Sequence, residues 1–385
     1  MTDQTMLTND MIAWRHALHA YPEMGFEEQR TAAFVAETLR GFGIEDVVEN
    51  VGGTGVVATV RAGGGNRAIG LRADMDALRI TERPGRPHGS CNHGVMHACG
   101  HDGHSAMLLG AARMLVEQGG FDGIVRLIFQ PAEEWGRGAL AMLDDGLLDR
   151  FPFDEIYGLH NMPGIAAGRF ETTPGPAMSA EDNFEIILSG VGGHASRPQA
   201  GREVMVAACA TVMALQTIVS RRLSPTDIAV VSATEILTDG TRNVLPGEAR
   251  ILGDARSFRA DVSEAIEAEM RRIVAGIAAT YGCTAEVDYT REFVALVNDA
   301  DATAAAVRAA QTVFGADNVS AACPPITASE DFARFLERVP GCFGFLGNGT
   351  QSPPLHNAGY DFNDEILLNG ARWLATIARQ RLPLA

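Results

Sequence analysis

Two stretches, AIGLRADMDAL (68–78) and IVRLIFQPAEE (124–134), decide the fold. Each begins as a near-continuous apolar run of strand length and then breaks into carboxylates, Asp74 and Asp76 in the first, Glu133 and Glu134 in the second. A strand that is apolar on both faces belongs in a sheet covered on both sides by helices. Further strand-length runs lie at 55–60, 155–159 and 342–346. Helical patterns lie at about 8–18, 27–42, 105–118 and from about 363 onward. This alternation predicts an α/β domain with a largely parallel sheet. In such sheets functional groups gather beyond the carboxyl ends of the strands, where Asp74, Asp76, Glu133, Glu134 and His160 fall.

The middle of the chain reads differently. A strand at 184–188 and a helix at 202–221 are followed by strands at 228–236 and 249–257. The turn-rich Thr238-Asp239-Gly240 and Pro246-Gly247 separate those two strands. Val262, Ile266, Met270, Ile273 and Ile277 then recur on one helical face, and a strand at 284–289 closes the set. The order β-α-β-β-α-β is the split βαβ of a ferredoxin-like module. The expected organisation is a discontinuous α/β domain, 1–180 and 292–385, with an α+β domain inserted at 181–291. Residues 204–219 are almost wholly apolar, interrupted by Thr211, Gln216 and Thr217, and fall short of the roughly 20 residues of a membrane span. They are expected to form a buried helix.

The 385 residues carry 48 Asp plus Glu against 31 Lys plus Arg, a formal charge of −17. With 46% hydrophobic and 21% charged residues, a sizeable core is expected and pervasive disorder is excluded. The acidic excess argues against nucleic acid and against an anionic membrane as partners. An anionic substrate would need a local arginine to hold it. Six scattered cysteines suit a reducing compartment, and residues 1–6 show no basic stretch followed by an apolar block, so a cytoplasmic location is expected.

Five of the ten histidines crowd between His88 and His104, and within that stretch lies MHACGHDGH (96–104). Thiolate and imidazole are the side chains that bind borderline divalent metals. The plainer reading is a loop before a helix, capped by Asp102, with surface histidines. Glu133 and Glu134 cannot point the same way, so one can bind a metal while the other acts as general base toward a bound water. A bare Glu-Glu pair is more commonly an acidic loop. LHN at 159–161 and again at 355–357 supplies His160 and His356, which complete a coherent ligand set with Cys99, His101 and Glu134.

These segments, together with RHALH (15–19), PEMGFEE (22–28), GGHASRP (192–198), RNVLP (242–246) and SEDF (329–332), run through the whole chain in order. They resemble the M20 metallopeptidase superfamily, and specifically its amidohydrolase branch of hippurate, N-acyl-amino-acid and indoleacetyl-amino-acid hydrolases. The resemblance implies a site for two divalent metal ions held by Cys99, His101, Glu134, His160 and His356, with Glu133 as general base; one ligand is expected to bridge the ions, and Cys99 is the candidate chosen here. Asp76 matches the carboxylate that orients a ligand. In the wider superfamily a metal-binding His precedes that carboxylate by two residues, whereas here Asp74 stands there. Arg79 replaces the usual Pro after Ala77-Leu78. The inserted module matches the family's lid and dimerisation domain, which implies a homodimer. Within it His194 resembles the residue that stabilises the oxyanion, Asn243 a substrate contact, and Arg256 the clamp on the substrate carboxylate.

The implied reaction is hydrolysis of an N-acyl-L-amino acid, hippurate-like or N-acetylated, to a carboxylic acid and a free amino acid. A thiolate ligand favours Zn²⁺ over hard Mg²⁺, and Mn²⁺, Co²⁺ and Ni²⁺ also serve in this branch. Leu245, Phe345 and a loop at 344–349 are candidate pocket walls. The alternatives are a dipeptidase, an N-acetyl-diaminopimelate deacetylase, or a metal-stabilised binding protein for acylated amino acids. An intact Glu133 speaks against the last.

Overall fold

The computed structural model describes residues 3–384, so Met1 and Thr2, part of the opening read above for a basic stretch and an apolar block, lie outside the described residues. Two helices, α1 (Asp3–Ala20) and α2 (Gln29–Gly41), precede five strands: β1 (Val47–Val51), β2 (Gly55–Ala62), β3 (Ala68–Asp74), β4 (Gly123–Gln130) and β5 (Glu155–Pro163). Helix α3 (His101–Gln118) lies between β3 and β4. The middle contributes β6 (Ala180–Ser189), α4 (Val204–Thr217), β7 (Ala229–Thr238), β8 (Glu248–Ser257), α5 (Ala260–Tyr281) and β9 (Thr284–Phe293). Helix α6 (Ala300–Phe314), β10 (Gly341–Gly349) and α7 (Leu367–Arg381) complete the chain. Two compact units result, one of Met1–Ala177, Val297–Pro324 and Glu330–Ala385, the other of Met178–Leu296 and Pro325–Ser329.

In the first unit the sheet order is β1-β2-β4-β3-β5-β10, extended by the short strands Phe170–Glu171 and Val319–Ser320. β4, β3, β5 and β10 are mutually parallel. Every residue of β3 and β4 is buried, as their unbroken apolar runs require. The expectation of a largely parallel sheet holds for this centre and fails on both sides of it: Phe170–Glu171 pairs antiparallel with β10, and the opposite edge is antiparallel as well. There β1 pairs antiparallel with β2, and β2 antiparallel with β4. Only Gly52, Gly53 and Thr54 separate β1 from β2, far too few residues for a parallel crossover, and both glycines take left-handed φ (+65° and +105°) to make the turn. Helix α3 packs against α1, α7 and β3, and the core joins these faces through Met107, Leu108, Leu115, Trp373 and Leu127.

The second unit is a four-stranded antiparallel sheet, β7-β8-β6-β9, with α4 and α5 packed against it. That is the strand order of a ferredoxin-like module. Burial alternates along β6 and β8, the pattern of a sheet covered on one face. Val262, Ile266, Met270 and Ile273 of α5 are buried, while Ile277 is only partly so. The buried helix expected at 204–219 is buried on one side only. Val204, Ala207, Ala208, Thr211 and Leu215 are covered, whereas Val206 is 52% and Met213 72% exposed. With a π-helical extension, Ile218–Arg222, it forms a 19-residue apolar stretch of which a third is buried. One helix layer on one sheet covers one side of a helix, and here the other side is apolar as well.

Candidate active site

Gly100, at φ +97°, turns the chain into α3, and its carbonyl accepts from the amides of Gly103 and His104. The helix therefore starts at His101, inside the histidine run and four residues earlier than the periodicity suggested. His101 and His104, three apart, face one side of the first turn, and Asp102 faces another. Both histidines are buried.

The ends of β3, β4 and β5 bring the remaining groups to this helix start. Cys99, His101 and His160 offer ligand atoms all within 4.8 Å of one another, and so do Cys99, Glu134 and His356. Cys99 is common to both triplets. A third, His101, Glu133 and Glu134, ties them together. The closest approaches are Cys99 Sγ to His160 Nε2 at 3.3 Å and His356 Nε2 to Glu134 Oε1 at 3.4 Å. His101 Nε2 stands 3.9 Å from both Glu133 Oε2 and Glu134 Oε1.

Asp76 holds two of these groups at once. Its Oδ1 meets His101 Nδ1 at 3.1 Å, which turns Nε2 inward, and its Oδ2 accepts from the Glu134 amide at 3.0 Å. His160 Nδ1 meets the Asn161 carbonyl at 2.6 Å, leaving Nε2 toward Cys99. His356, at φ +58°, is tied to the Cys99 segment by its amide, which donates to the Ala98 carbonyl at 2.9 Å. Its side chain is 53% exposed, the open edge of an otherwise buried set.

The residues suit a cation. His101 Nε2 and Glu134 Oε1 are buried without a hydrogen-bond partner among the described residues. Buried polar atoms of this kind are rare and point to an absent partner. Burial pushes the Cys99 thiol well above its ordinary range, and Glu134 and Glu133 push the same way. Burial also raises Glu133 well above the carboxylate range, with Glu330 next in importance. For His101 burial opposes the charged form, but Asp74 and Asp76 outweigh it and push the imidazole up to about 10. Burial raises Glu134 too, and His356 and His101 overcome that and lower it. Several carboxylates thus share one buried space, and a divalent ion held there would favour the deprotonated forms of Cys99 and Glu133.

A second ring of groups supports the first, and single-residue reasoning missed most of it. Asp74 meets His104 Nδ1 at 2.7 Å and accepts from Arg72 Nη1 at 2.7 Å, so both of its oxygens are engaged. His104 Nε2 accepts from the Asn161 amide, and Asn161 Nδ2 donates to the Cys99 carbonyl at 2.6 Å. Arg72, fully buried, also donates to Gln130, Glu330 and Asp331. Arg72 and Asp74 are two apart on one strand, hence on one face, which is the signal that could have paired them.

In the second unit, His194 and Asn243 come together: Gly193–His194 pairs with Val244–Leu245, and the Ala195 amide donates to the Asn243 carbonyl at 3.0 Å. His194 is exposed, with Nδ1 accepting from Ser196. Arg256 is ion-paired with Glu181 at 2.8 Å and Asp254 at 2.9 Å, and donates to Ser329 Oγ. The expected loop at 344–349 is instead part of β10, where Phe345 is buried, because Gly344 makes room for the Phe170 ring.

The model of the peptidase family M20/M25/M40 matches residues 70–380. A hippurate hydrolase of Campylobacter jejuni is 38% identical over 368 residues, covering 96% of this chain and 95% of that protein. An N-acetyl-L-cysteine deacetylase of Bacillus subtilis is 37% identical over 377 residues, covering 98% and 89%. Among solved structures, the Bacillus subtilis YXEP protein, described as a dinuclear metal binding peptidase, superposes with a TM-score of 0.86 at 31% identity, covering 98% of this chain and 99% of that one. On the strength of this whole-length similarity and the gathered ligand atoms, the chain belongs to peptidase family M20/M25/M40, in its amidohydrolase branch.

Proposed function

We propose that this metal-dependent hydrolase cleaves the amide bond of N-acyl-L-amino acids, using two divalent ions held by Cys99, His101, Glu134, His160 and His356. The observation that carries the reading is the pair of ligand triplets sharing Cys99, with Glu133 beside them. Cys99, common to both triplets, would be the residue able to serve both ions. Zn²⁺ or Mn²⁺ suits a thiolate-imidazole-carboxylate set best, with Co²⁺ and Ni²⁺ as substitutes. Bound ions would supply Lewis acidity, polarising the carbonyl and lowering the pKa of water from about 15.7 toward 7.

Glu133 takes the proton of the attacking water and returns one to the leaving amine. Asp76 keeps His101 in the tautomer that leaves Nε2 free. His194 is assigned to the developing oxyanion and Asn243 to the substrate. Arg256 is assigned to the substrate carboxylate, exchanging one of its present carboxylate partners for it. The second unit is read as lid and dimerisation domain. The apolar outward side of α4 and exposed Val230, Ile236 and Leu237 on the edge strand β7 support a homodimer. All six cysteines are unpaired, in keeping with a reducing, cytoplasmic setting.

The test is turnover of hippurate, N-acetyl-L-cysteine and an unblocked dipeptide, with chelator and after Zn²⁺ or Mn²⁺ is restored. Cleavage of the acylated amino acids that stops on chelation and returns with metal is expected. Preference for the dipeptide would make the chain a dipeptidase. Tight retention of an acylated amino acid without cleavage would make it a binding protein.

A further inference from the structure

Glu28, in the PEMGFEE stretch, is fully buried at the N-cap of α2, yet its carboxylate does not cap that helix. Glu23 does so instead, accepting from the amides of Arg30 and Thr31 at 3.1 and 2.8 Å. Burying a carboxylate is costly unless its partners repay it, so the Glu28 side chain must be held for another contact. It has two. Oε1 accepts from the Ala132 amide at 2.8 Å, and Oε2 takes a short hydrogen bond from the Thr54 hydroxyl.

Ala132 is the residue immediately before Glu133, is fully buried, and has left-handed φ +47°, ψ +42°. An alanine enters that region reluctantly and stays only when its surroundings hold it. Its carbonyl is fixed by the Gly138 amide at 3.1 Å, and its amide, out of reach of water, is met by Glu28. Gly25, from the same stretch as Glu28, leaves the space: a Cβ there would come 3.0 Å from Ala132. Two residues on, the Glu134 amide is held by Asp76 at 3.0 Å. Glu133 thus lies between two carboxylate-to-amide clasps, one at each side of a single turn.

We propose that Glu28, anchored by Thr54, is a positioning residue for hydrolysis: it holds the left-handed Ala132 peptide and so aims Glu133 at the reacting amide. This rests on the reading of Glu133 as general base.

The test uses the full chain loaded with Mn²⁺ and hippurate or N-acetyl-L-cysteine as substrate, comparing Glu28→Ala, Glu28→Gln and Glu133→Gln. Glu28→Ala is expected to lower kcat by about ten- to a hundredfold, the scale of a slightly misplaced catalytic group, with KM and bound metal unchanged. Glu28→Gln still offers an oxygen to the Ala132 amide and an N–H to Thr54, and is expected to restore most of kcat. Wild-type kcat in Glu28→Ala overturns the proposal. So does a loss that tracks lost metal, or a Gln variant as impaired as the Ala variant. If Glu28→Ala does not fold, Thr54→Val decides: a several-fold fall in kcat at constant KM supports the anchor, and wild-type kcat refutes it. Normal turnover by Glu133→Gln would remove the base assignment itself, whatever the Glu28 variants do.

Discussion

His101 and Asp102 are neighbours in the first turn of α3, and they face two buried charge clusters of opposite design. On the His101 side, Asp76, Glu133 and Glu134 converge with Cys99 and two further histidines, and among the described residues His101 Nε2 and Glu134 Oε1 have no hydrogen-bond partner, the latter having only the 3.4 Å ion-pair contact to His356. On the Asp102 side most of the charges close on one another, although Asp102 Oδ1, like the two atoms just named, has no hydrogen-bond partner among the described residues. Asp102 Oδ2 meets Arg15 Nε and His19 Nδ1, both at 2.8 Å. Arg15 also pairs with Asp361 and with Asp364 at 3.3 Å, His19 Nε2 meets Glu82 at 3.3 Å, and His16 meets Asp364 at 2.8 Å. Both clusters are rich in carboxylates. The difference is where the guanidinium sits: Arg15 lies directly on Asp102, whereas Arg72 reaches Asp74, Glu330 and Asp331 and makes no ion pair with Glu133 or Glu134 among the described residues, which the proposed reading leaves to divalent ions. On the proposed reading one serves the chemistry, while the other ties α1 to the start of α3 and to the segment before α7.

The sharpest way to break this comparison is to change one acid in the open cluster and one cation in the closed one. Glu133→Gln is nearly isosteric and removes the proton acceptor. We expect kcat to fall by about 10²- to 10⁴-fold. Elemental analysis should find the same metal content, and the melting temperature should not drop, since a raised, buried carboxyl is replaced by a neutral amide. Metal loss in this variant would move Glu133 into the ligand set.

Arg15→Met should give the converse result. It leaves Asp102 buried with only His19 for company, at a cost of about 3–5 kcal/mol. For a chain of this size that is a fall of on the order of 10 °C in Tm. Bound metal and KM of the folded fraction should stay as they were. A variant that melts normally but loses its metal would merge the two clusters into one functional site.

The two clusters were not equally legible in the sequence. The open one is written in short strings: MHACGHDGH at a helix start, QPAEE at the end of β4, and LHN, whose first copy lies inside β5 (Glu155–Pro163). Beyond the strand ends, side chains from different strands have few places to go except toward one another. The ferredoxin-like order was readable for a similar reason, because period-two and period-3.6 patterns are local. Arg15 carries no mark in the sequence that its partners lie 87, 346 and 349 positions away. The Glu28 contact to Ala132 spans 104 positions and joins a side chain to a backbone amide, to which residue identity is blind. The exposed side of α4 failed for the opposite reason: its sequence is apolar all round, and periodicity cannot tell an apolar surface from an apolar core.

The smallest expected effect is a pH dependence confined to the closed cluster. Burial opposes the charged form of His19, but Asp102 and its hydrogen bonds to Asp102 and Glu82 outweigh burial and push the imidazole up to about 9 from an ordinary 6.5. A histidine whose pKa is raised by folding stabilises the fold fully below its unfolded value. That contribution is lost as pH climbs through the folded value. The window is therefore about 6.5 to 9, and the contribution at stake is at most about 3 kcal/mol. In melts taken from pH 6 to pH 10, His19→Gln should start less stable than the parent and converge on it at the alkaline end. Two curves that stay parallel throughout would mean that His19 is neutral in the folded protein, leaving Arg15 as the cation that holds Asp102.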